Sequence, residues 1–193
     1  EAFHIPFISN FFREEIFPFL QPVPVKKEKF HTFIRDNRLY MSIRLKSKNL
    51  NNAPFEYFYF KLPYSKVPRF IELPKINNYY YLMFIEDIIK MNVSFLFPGY
   101  EIDSFYCFKI SRDADIYIDD VITKPKAEDE MVDQLKMKVN KRKIGAVCRF
   151  VYDSYMPRDF LEYLSNALDI NSKEWVPGDR HLSLEDLASL PCP

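Results

Sequence analysis

Glycine is scarce in this chain, and its scarcity excludes one large class of sites. The 193 residues include three glycines, Gly99, Gly145 and Gly178. Phosphate-binding loops such as GxGxxG and GxxxxGK[ST] need several glycines, because their backbone amides must approach the phosphates closely. The sequence therefore contains no standard nucleotide-binding loop.

Cysteine and histidine are also few. The three cysteines are odd in number, far apart and form no CxxC pair, which indicates neither a disulfide framework nor a zinc knuckle and favours a reducing, cytoplasmic setting. His4, His31 and His181 share no metal-ligand spacing, and no GxSxG nucleophile motif is present. The sequence thus predicts no catalytic, cofactor-binding or metal-binding residue.

Net charge and long apolar runs are absent as well. Lys plus Arg and Asp plus Glu both total 27, so no global field would attract nucleic acid or an anionic membrane. Charged residues interrupt every apolar run well before the ~20 residues of a transmembrane helix. With 48% hydrophobic and 17% aromatic residues, the composition is that of a folded globular domain.

Period-two patterns predict several strands. Residues 38–48 and 55–62 alternate apolar and polar side chains around an Asn-rich turn, which predicts an antiparallel hairpin with a polar outer face. Prolines flank residues 69–73 and favour an edge strand there. Residues 79–83 and 146–152 are also strand-like. A further strand, centred on residues 106–110, is apolar on both faces and should be buried on both.

Helical patterns lie between these strands. Ser9 can cap a helix over residues 10–20 with Phe17 among its inward-facing residues, and periodic apolar residues begin another helix near Ile85. Residues 126–143 have acidic residues in the first turn and basic residues in the last, and Pro157 can begin a second amphipathic helix. Because strands and helices follow in irregular order, the predicted fold is α+β, a mixed β-sheet with amphipathic helices packed on it.

A charged cluster follows the strand that ends near Ile110. Arg112, Asp113 and Asp115 stand within four residues, and arginine beside carboxylates is used in phosphate and Mg²⁺ sites. Such a group is more often an ion-paired strand end that holds a neighbouring loop or domain. We therefore expect Arg112 to bridge to a carboxylate and fix the exit of the strand.

The end of the predicted 126–143 helix is basic. Lys138, Lys141 and Arg142 form a candidate polyanion patch, with the tyrosines at 79–81 as a stacking platform. The alternative is a solvated helix end that complements the helix dipole. Both interpretations stay open.

An ordered succession of motifs resembles the middle, or head, domain of the long-chain, ATP-dependent polyphosphate kinase family. In chain order the motifs are NFFREEIFP at 10–18, KVPRF at 66–70, FIEDII at 84–89, LFPG at 96–99, KISRDAD at 109–115, RFVY at 149–152, MP at 156–157, VPG at 176–178 and DL at 186–187. Each motif alone is weak, but their order over nearly the whole chain is specific.

The resemblance implies an enzyme that moves the terminal phosphate of ATP reversibly onto inorganic polyphosphate, using Mg²⁺ and a phosphohistidine, in the cytoplasm or at its membrane face. In that family the phosphohistidine and most ligands of the ATP phosphates lie in two later domains of phospholipase-D-like fold. None of the three histidines here matches the phosphorylated one. ATP and Mg²⁺ are therefore expected for the full-length enzyme and no cofactor for this segment.

The family's head domain is associated with dimer contacts and with bracing the catalytic domains. We accordingly expect residues 1–193 to form a single head domain, with 1–25 an entry helix and linker and 174–193 an exit segment. Expected partners are the other domains of the enzyme, a second copy in a homo-oligomer, and polyphosphate. Four residues are candidates for structural or interface roles: Arg69, Arg112, Asp113 and Asp115.

Overall fold

A six-stranded mixed sheet organises the protein. The computed structural model describes residues 2–26, 34–49, 53–112 and 147–191. Its strands are β1 Val23–Pro24, β2 Leu39–Ser47, β3 Glu56–Lys61, β4 Phe70–Ile76, β5 Tyr79–Phe84, β6 Tyr100–Arg112, β7 Val147–Asp153 and β8 Trp175–Gly178. The large sheet has the order β1-β3-β2-β6-β7-β8, with only the β7–β8 pair parallel among these described strands. The α+β prediction with a mixed sheet is confirmed.

Three α-helices accompany the strands in the described ranges. They are α1 Ile5–Phe11, α2 Ile85–Asn92 and α3 Arg158–Leu168. Within the part of the chain that the structure describes, no helix combines the length and the apolar character that a membrane span requires.

The first helix begins earlier than the sequence pattern predicts. Pro6 stands in the first turn of α1, where its missing N–H costs nothing. The chain then tightens through a π-helical segment, Phe12–Ile16, and a 3₁₀ turn, Phe17–Phe19. The predicted cap at Ser9 is therefore wrong, and Phe17 is 43% exposed rather than inward-facing.

The β2–β3 hairpin is confirmed, but its polar outer face is not. Ile43 of β2 lies opposite Phe58 of β3 in antiparallel register. Tyr40, Ser42 and Arg44, predicted to face water, are all buried. The cause is long-range, because α3 covers this face of the sheet, and a central strand covered on both sides is buried throughout.

Two hydrophobic cores lie against the sheet. One joins the alternate residues of β2 to the first helical segment and α2, with Met41, Phe12 and Ile88 fully buried. The other joins Tyr40 and Phe108 of the sheet to the buried apolar side chains of α3. As predicted, β6 is buried on both faces, since its neighbours Cys107 and Phe108 belong to different cores.

Strands β4 and β5 form a separate two-stranded sheet. The prediction that prolines place residues 69–73 at an edge is confirmed, and the β4–β5 register shifts between Leu73 and Ile76, around Pro74. The Pro74 carbonyl accepts a 2.9 Å hydrogen bond from Nε2 of the buried His4. This contact joins the N-terminal segment to the hairpin.

Several predicted features lie outside the described residues. They are the 126–143 helix, Asp113, Asp115, and the candidate polyanion patch of Lys138, Lys141 and Arg142.

Candidate functional site

Arg69, the residue just before β4, is the most completely bonded charged group in the described structure. Its Nε and Nη2 donate to Oε1 of Glu86 at 3.0 and 2.7 Å. Its Nη1 donates to Oδ2 of Asp186 at 2.6 Å and to the carbonyl of Ser183 at 2.7 Å, and Nη2 also donates to the carbonyl of Leu182 at 2.5 Å. A guanidinium has five N–H donors, so every one is used.

The partners of Arg69 come from separate parts of the chain. Glu86 is in the first turn of α2 and its side chain is 1% exposed, while Asp186 is in a 3₁₀ turn, Leu184–Ser189, near the end of the chain. A buried charge is tolerated only when it is paired and hydrogen-bonded. The arginine therefore ties β4, α2 and the C-terminal segment together.

Two rings lie near the Arg69 guanidinium. The rings of Tyr64 and Phe84 have their centroids 5.5 and 5.4 Å from its central carbon, within the range of cation–π attraction. Burial, and secondarily the negative charge of Glu86, raise the pKa of Tyr64 far above its ordinary value, so the phenol stays neutral. Burial alone would lower the pKa of Arg69, but its acidic neighbours, with Glu86 first among them, together outweigh burial and the pKa rises.

Backbone geometry positions this Arg69 network. The amide of Ile85 donates to the Arg69 carbonyl at 2.8 Å, which fixes the start of α2 against β4. Ser183 has a φ of 62° in the left-handed region, unusual for a residue other than glycine. Its carbonyl accepts one of the Arg69 hydrogen bonds, so the strained turn is coupled to the buried charge.

A mixed-charge cleft of about 640 Å³ lies beside the Arg69 network. Its lining includes Lys109, which approaches Oε1 of Glu185 and Oγ of Ser183, both at 3.3 Å. The charged lining residues are Arg38, Arg69, Glu72, Lys109, Glu185 and Asp186. Since most of these acids and bases neutralise one another, the arrangement is suited to holding segments together.

The described residues offer no ligand set for a metal. In the ranges that the structure describes, no three His, Cys, Asp or Glu side chains converge as a cation would require.

Arg112 ends β6 and contacts the segment before β2. Its backbone amide donates to Oδ1 of Asp36 at 2.7 Å, and its Nη2 lies 3.5 Å from the carbonyl of Ile34. Burial lowers the pKa of Arg112, and the nearby Asp36 carboxylate opposes that shift. The partners of Arg69 and Arg112 are different residues, so the two candidates belong to separate clusters. That Arg112 fixes the strand exit stays a prediction.

A second buried arginine was missed by sequence reasoning. Arg44, in the middle of β2, donates from Nε to Oδ2 of Asp103 and from Nη1 to Oδ2 of Asp159, both at 2.6 Å. Its central carbon lies 4.6 Å from the centroid of the Phe55 ring. Because Asp159 belongs to α3, this pair anchors the helix to the sheet. The strand pattern placed Arg44 on a wet face, and no local signal marks its partners.

Glu86 was also missed as a site residue. The helical pattern puts it on the polar face of α2, yet it is buried and accepts two hydrogen bonds from Arg69. The KVPRF and FIEDII motifs contain Arg69 and Glu86, so the resemblance of these motifs to the family was the available signal.

Comparisons with known proteins agree with this architecture. Residues 5–190 match a family model described as the polyphosphate kinase middle domain. Curated polyphosphate kinases of Prochlorococcus marinus (strain MIT 9313) and Parasynechococcus marenigrum (strain WH8102) are 27% and 28% identical over 190 residues. Each alignment covers 95% of this chain and 26% of the relative. The chain thus spans about a quarter of their length.

A solved structure shares the fold. The crystal structure of polyphosphate kinase from Porphyromonas gingivalis superposes with a TM-score of 0.76 and 36% sequence identity, over 98% of this chain and 26% of that one. The matched residues 5–190 include both Arg69 and Glu86 and all eight described strands. The chain therefore belongs to the polyphosphate kinase family, of which it represents the middle domain.

Proposed function

We propose that this chain is the non-catalytic head domain of a polyphosphate kinase, where it braces the other domains and contributes a self-association surface. The whole enzyme would transfer the terminal phosphate of ATP to inorganic polyphosphate with the help of Mg²⁺. The observation that carries the proposal is the Arg69 network, because all five donors of its guanidinium bind residues of this same chain. A guanidinium so fully bonded has a structural role within this chain and leaves no donor for a substrate.

The N-terminal segment and the β4–β5 hairpin supply support for self-association. Phe3, Tyr79 and Tyr80 are 68%, 69% and 54% exposed. Phe3 lies edge-on to His4, which in turn contacts Tyr81, so Phe3 lies beside the hairpin that carries Tyr79 and Tyr80. Exposed aromatic rings are enriched at interface hot spots.

Phosphate transfer by the purified chain tests the non-catalytic role. The chain is incubated with ATP, Mg²⁺ and polyphosphate, and ADP formation is followed. No turnover above a heat-denatured control is expected. Robust turnover that depends on Mg²⁺ would overturn the proposal.

Sedimentation of the chain tests the self-association role. Tyr79→Ser with Tyr80→Ser should weaken self-association at least tenfold. Tyr155→Ser is the control, since Tyr155 is 74% exposed elsewhere, in the turn after β7. Equal behaviour of both variants would argue against the hairpin as the contact surface.

The alternative function is a polyanion-binding module that guides polyphosphate along a basic helix end. Its residues, Lys138, Lys141 and Arg142, lie outside the described ranges, so this alternative depends on the sequence pattern alone. Replacing the three with Gln and titrating with polyphosphate at two ionic strengths tests it.

A further inference from the structure

A second cleft, of about 380 Å³, has a different charge character from the one beside Arg69. It lies where β2 and β3 meet the segment that follows the first helix. Arg35, Lys61 and Lys66 line it together with Tyr40 and Tyr59, and none of the described residues in its lining is acidic. These five residues are called the cationic cleft below.

The sheet and its turns hold the cationic cleft in place. Lys61 of β3 lies directly opposite Tyr40 of β2. The Tyr40 hydroxyl accepts a 2.9 Å hydrogen bond from the backbone amide of Arg35, and the Lys66 amide donates to the Pro63 carbonyl at 2.9 Å. The cations are thus attached to ordered backbone around one opening.

Like charges crowd this opening. Burial lowers the pKa of Lys61, and the nearby positive charges of Arg38 and Arg35 lower it further. In the described structure, none of the ion pairs includes Arg35, Lys61 or Lys66. Clustered cations with no counter-charge paired to them in the described ranges create a positive local potential that a bound anion would relieve. The net charge of the whole chain, which is zero, conceals this local excess.

The aromatic residues of the cleft differ in exposure. Tyr40 and Tyr59 are each 2% exposed, and their ring centroids lie 6.1 Å apart within the second core, so bases cannot stack on them. Phe19, in the same lining, is 45% exposed. The charges of the cleft therefore suit a polyanion, and its rings do not exclude one that carries bases.

We propose that the cationic cleft binds a run of phosphates of inorganic polyphosphate and so holds the polymer on the head domain. The chemistry of the cleft calls for a polyanion, and the choice of polyphosphate depends on the function proposed above. This site is distinct from the candidate patch of Lys138, Lys141 and Arg142.

Titration of the 193-residue chain with polyphosphate of defined length tests the proposal. A triple variant, Arg35→Gln, Lys61→Gln and Lys66→Gln, should bind at least tenfold more weakly at about 100 mM salt. By the coefficient for single-stranded polyanions, three phosphate contacts give a slope of about 2 in log Kd against log salt, and the variant should lose most of it. An unchanged Kd and slope would overturn the proposal.

Two matched variants separate a local site from general charge. Lys48→Gln, Arg158→Gln and Lys173→Gln remove the same charge from exposed positions elsewhere and should leave Kd within about threefold. Arg35→Lys, Lys61→Arg and Lys66→Arg retain the charge and should retain binding. Far-UV circular dichroism confirms that each variant is folded. Equal losses in the cleft variant and the exposed-charge control would overturn the assignment to the cleft.

Two further measurements test which polyanion binds and where on the chain it binds. Single-stranded DNA of equal charge should compete poorly, and equal competition would overturn polyphosphate as the ligand. If only the Lys138, Lys141 and Arg142 triple variant loses affinity, the basic helix end replaces the cleft. These measurements report binding, whereas the scaffold role depends on the absence of phosphate transfer, so the two can fail independently.

Discussion

At the scale of single residues, the buried arginines carry most of the specific information. Arg69 and Arg44 are 7% and 9% exposed, and both bind two carboxylates. Removing one partner of a buried pair is costly because the other charge stays desolvated and unpaired. The surface pair between Arg158 and Glu162 has no such consequence, since both groups keep their water.

Arg69→Met should destabilise the chain by about 3–5 kcal/mol, because it leaves the Glu86 carboxylate buried without its cation. Urea unfolding at pH 7 measures the effect. Arg158→Met is the control and should change the free energy of unfolding by less than about 0.5 kcal/mol. Adding Glu86→Leu to Arg69→Met should recover part of the loss. A loss for Arg69→Met as small as the control's would contradict the structural role.

The thiol of Cys107 should make stability fall at alkaline pH. Burial raises the pKa of Cys107 from its ordinary 9.0 to about 12. Between these values the unfolded chain has lost the proton and the folded chain keeps it. Stability is therefore full below about pH 9 and declines as the pH rises toward 12, by up to about 1.4 kcal/mol per unit.

Unfolding in urea at pH 8, 9, 10 and 11 measures this slope. Cys107→Ala should make it shallower over pH 9 to 10, before the tyrosines contribute. Cys148→Ala should keep the original slope, since Cys148 is exposed. If the two variants have the same pH dependence, Cys107 is not its source.

At the scale of elements, the sequence predicted which residues form strands and helices better than it predicted what packs against them. Alternation predicted the hairpin of β2 and β3, because period-two patterns are local. It placed Arg44 in solvent because the cover over that face is α3, more than a hundred residues later in the chain. The Arg69 network escaped prediction for the same reason, since its acceptors are at least 17 residues away. Only the family motifs carried that long-range information.

The buried apolar residues of helix α3 should contribute more to stability than the exposed ion pair between Arg158 and Glu162. Leu164 is fully buried in the second core, so Leu164→Ala should cost about 2–5 kcal/mol through lost burial and a cavity. Glu162→Ala, on the exposed face of the same helix, should cost less than about 0.5 kcal/mol. Thermal or urea unfolding compares the two. Similar costs would mean that α3 is held mainly by its charges.

At the scale of the whole molecule, one sheet joins two cores. Residues of β2 alternate between them, with Met41 in one and Tyr40 in the other. Neither core can open without exposing the strands that form the other. We therefore expect the described domain to unfold as a single cooperative unit.

The one tryptophan makes this expectation measurable. Trp175 begins β8, an edge strand that pairs in parallel with β7. Its fluorescence and the far-UV circular dichroism should report the same urea midpoint. Arg69→Met should move both signals together, while an earlier fluorescence midpoint would show that the edge strand opens separately.

The acceptors of Arg69 also determine which neighbouring positions can be substituted without loss of its hydrogen bonds. Two of its four partners, Leu182 and Ser183, contribute main-chain carbonyls, which are present whatever side chain stands there. Only Glu86 and Asp186 must keep a particular chemistry for this contact. Relatives could therefore keep all of these Arg69 contacts while their residues at position 183 differ. An alignment would reveal only the two carboxylate partners.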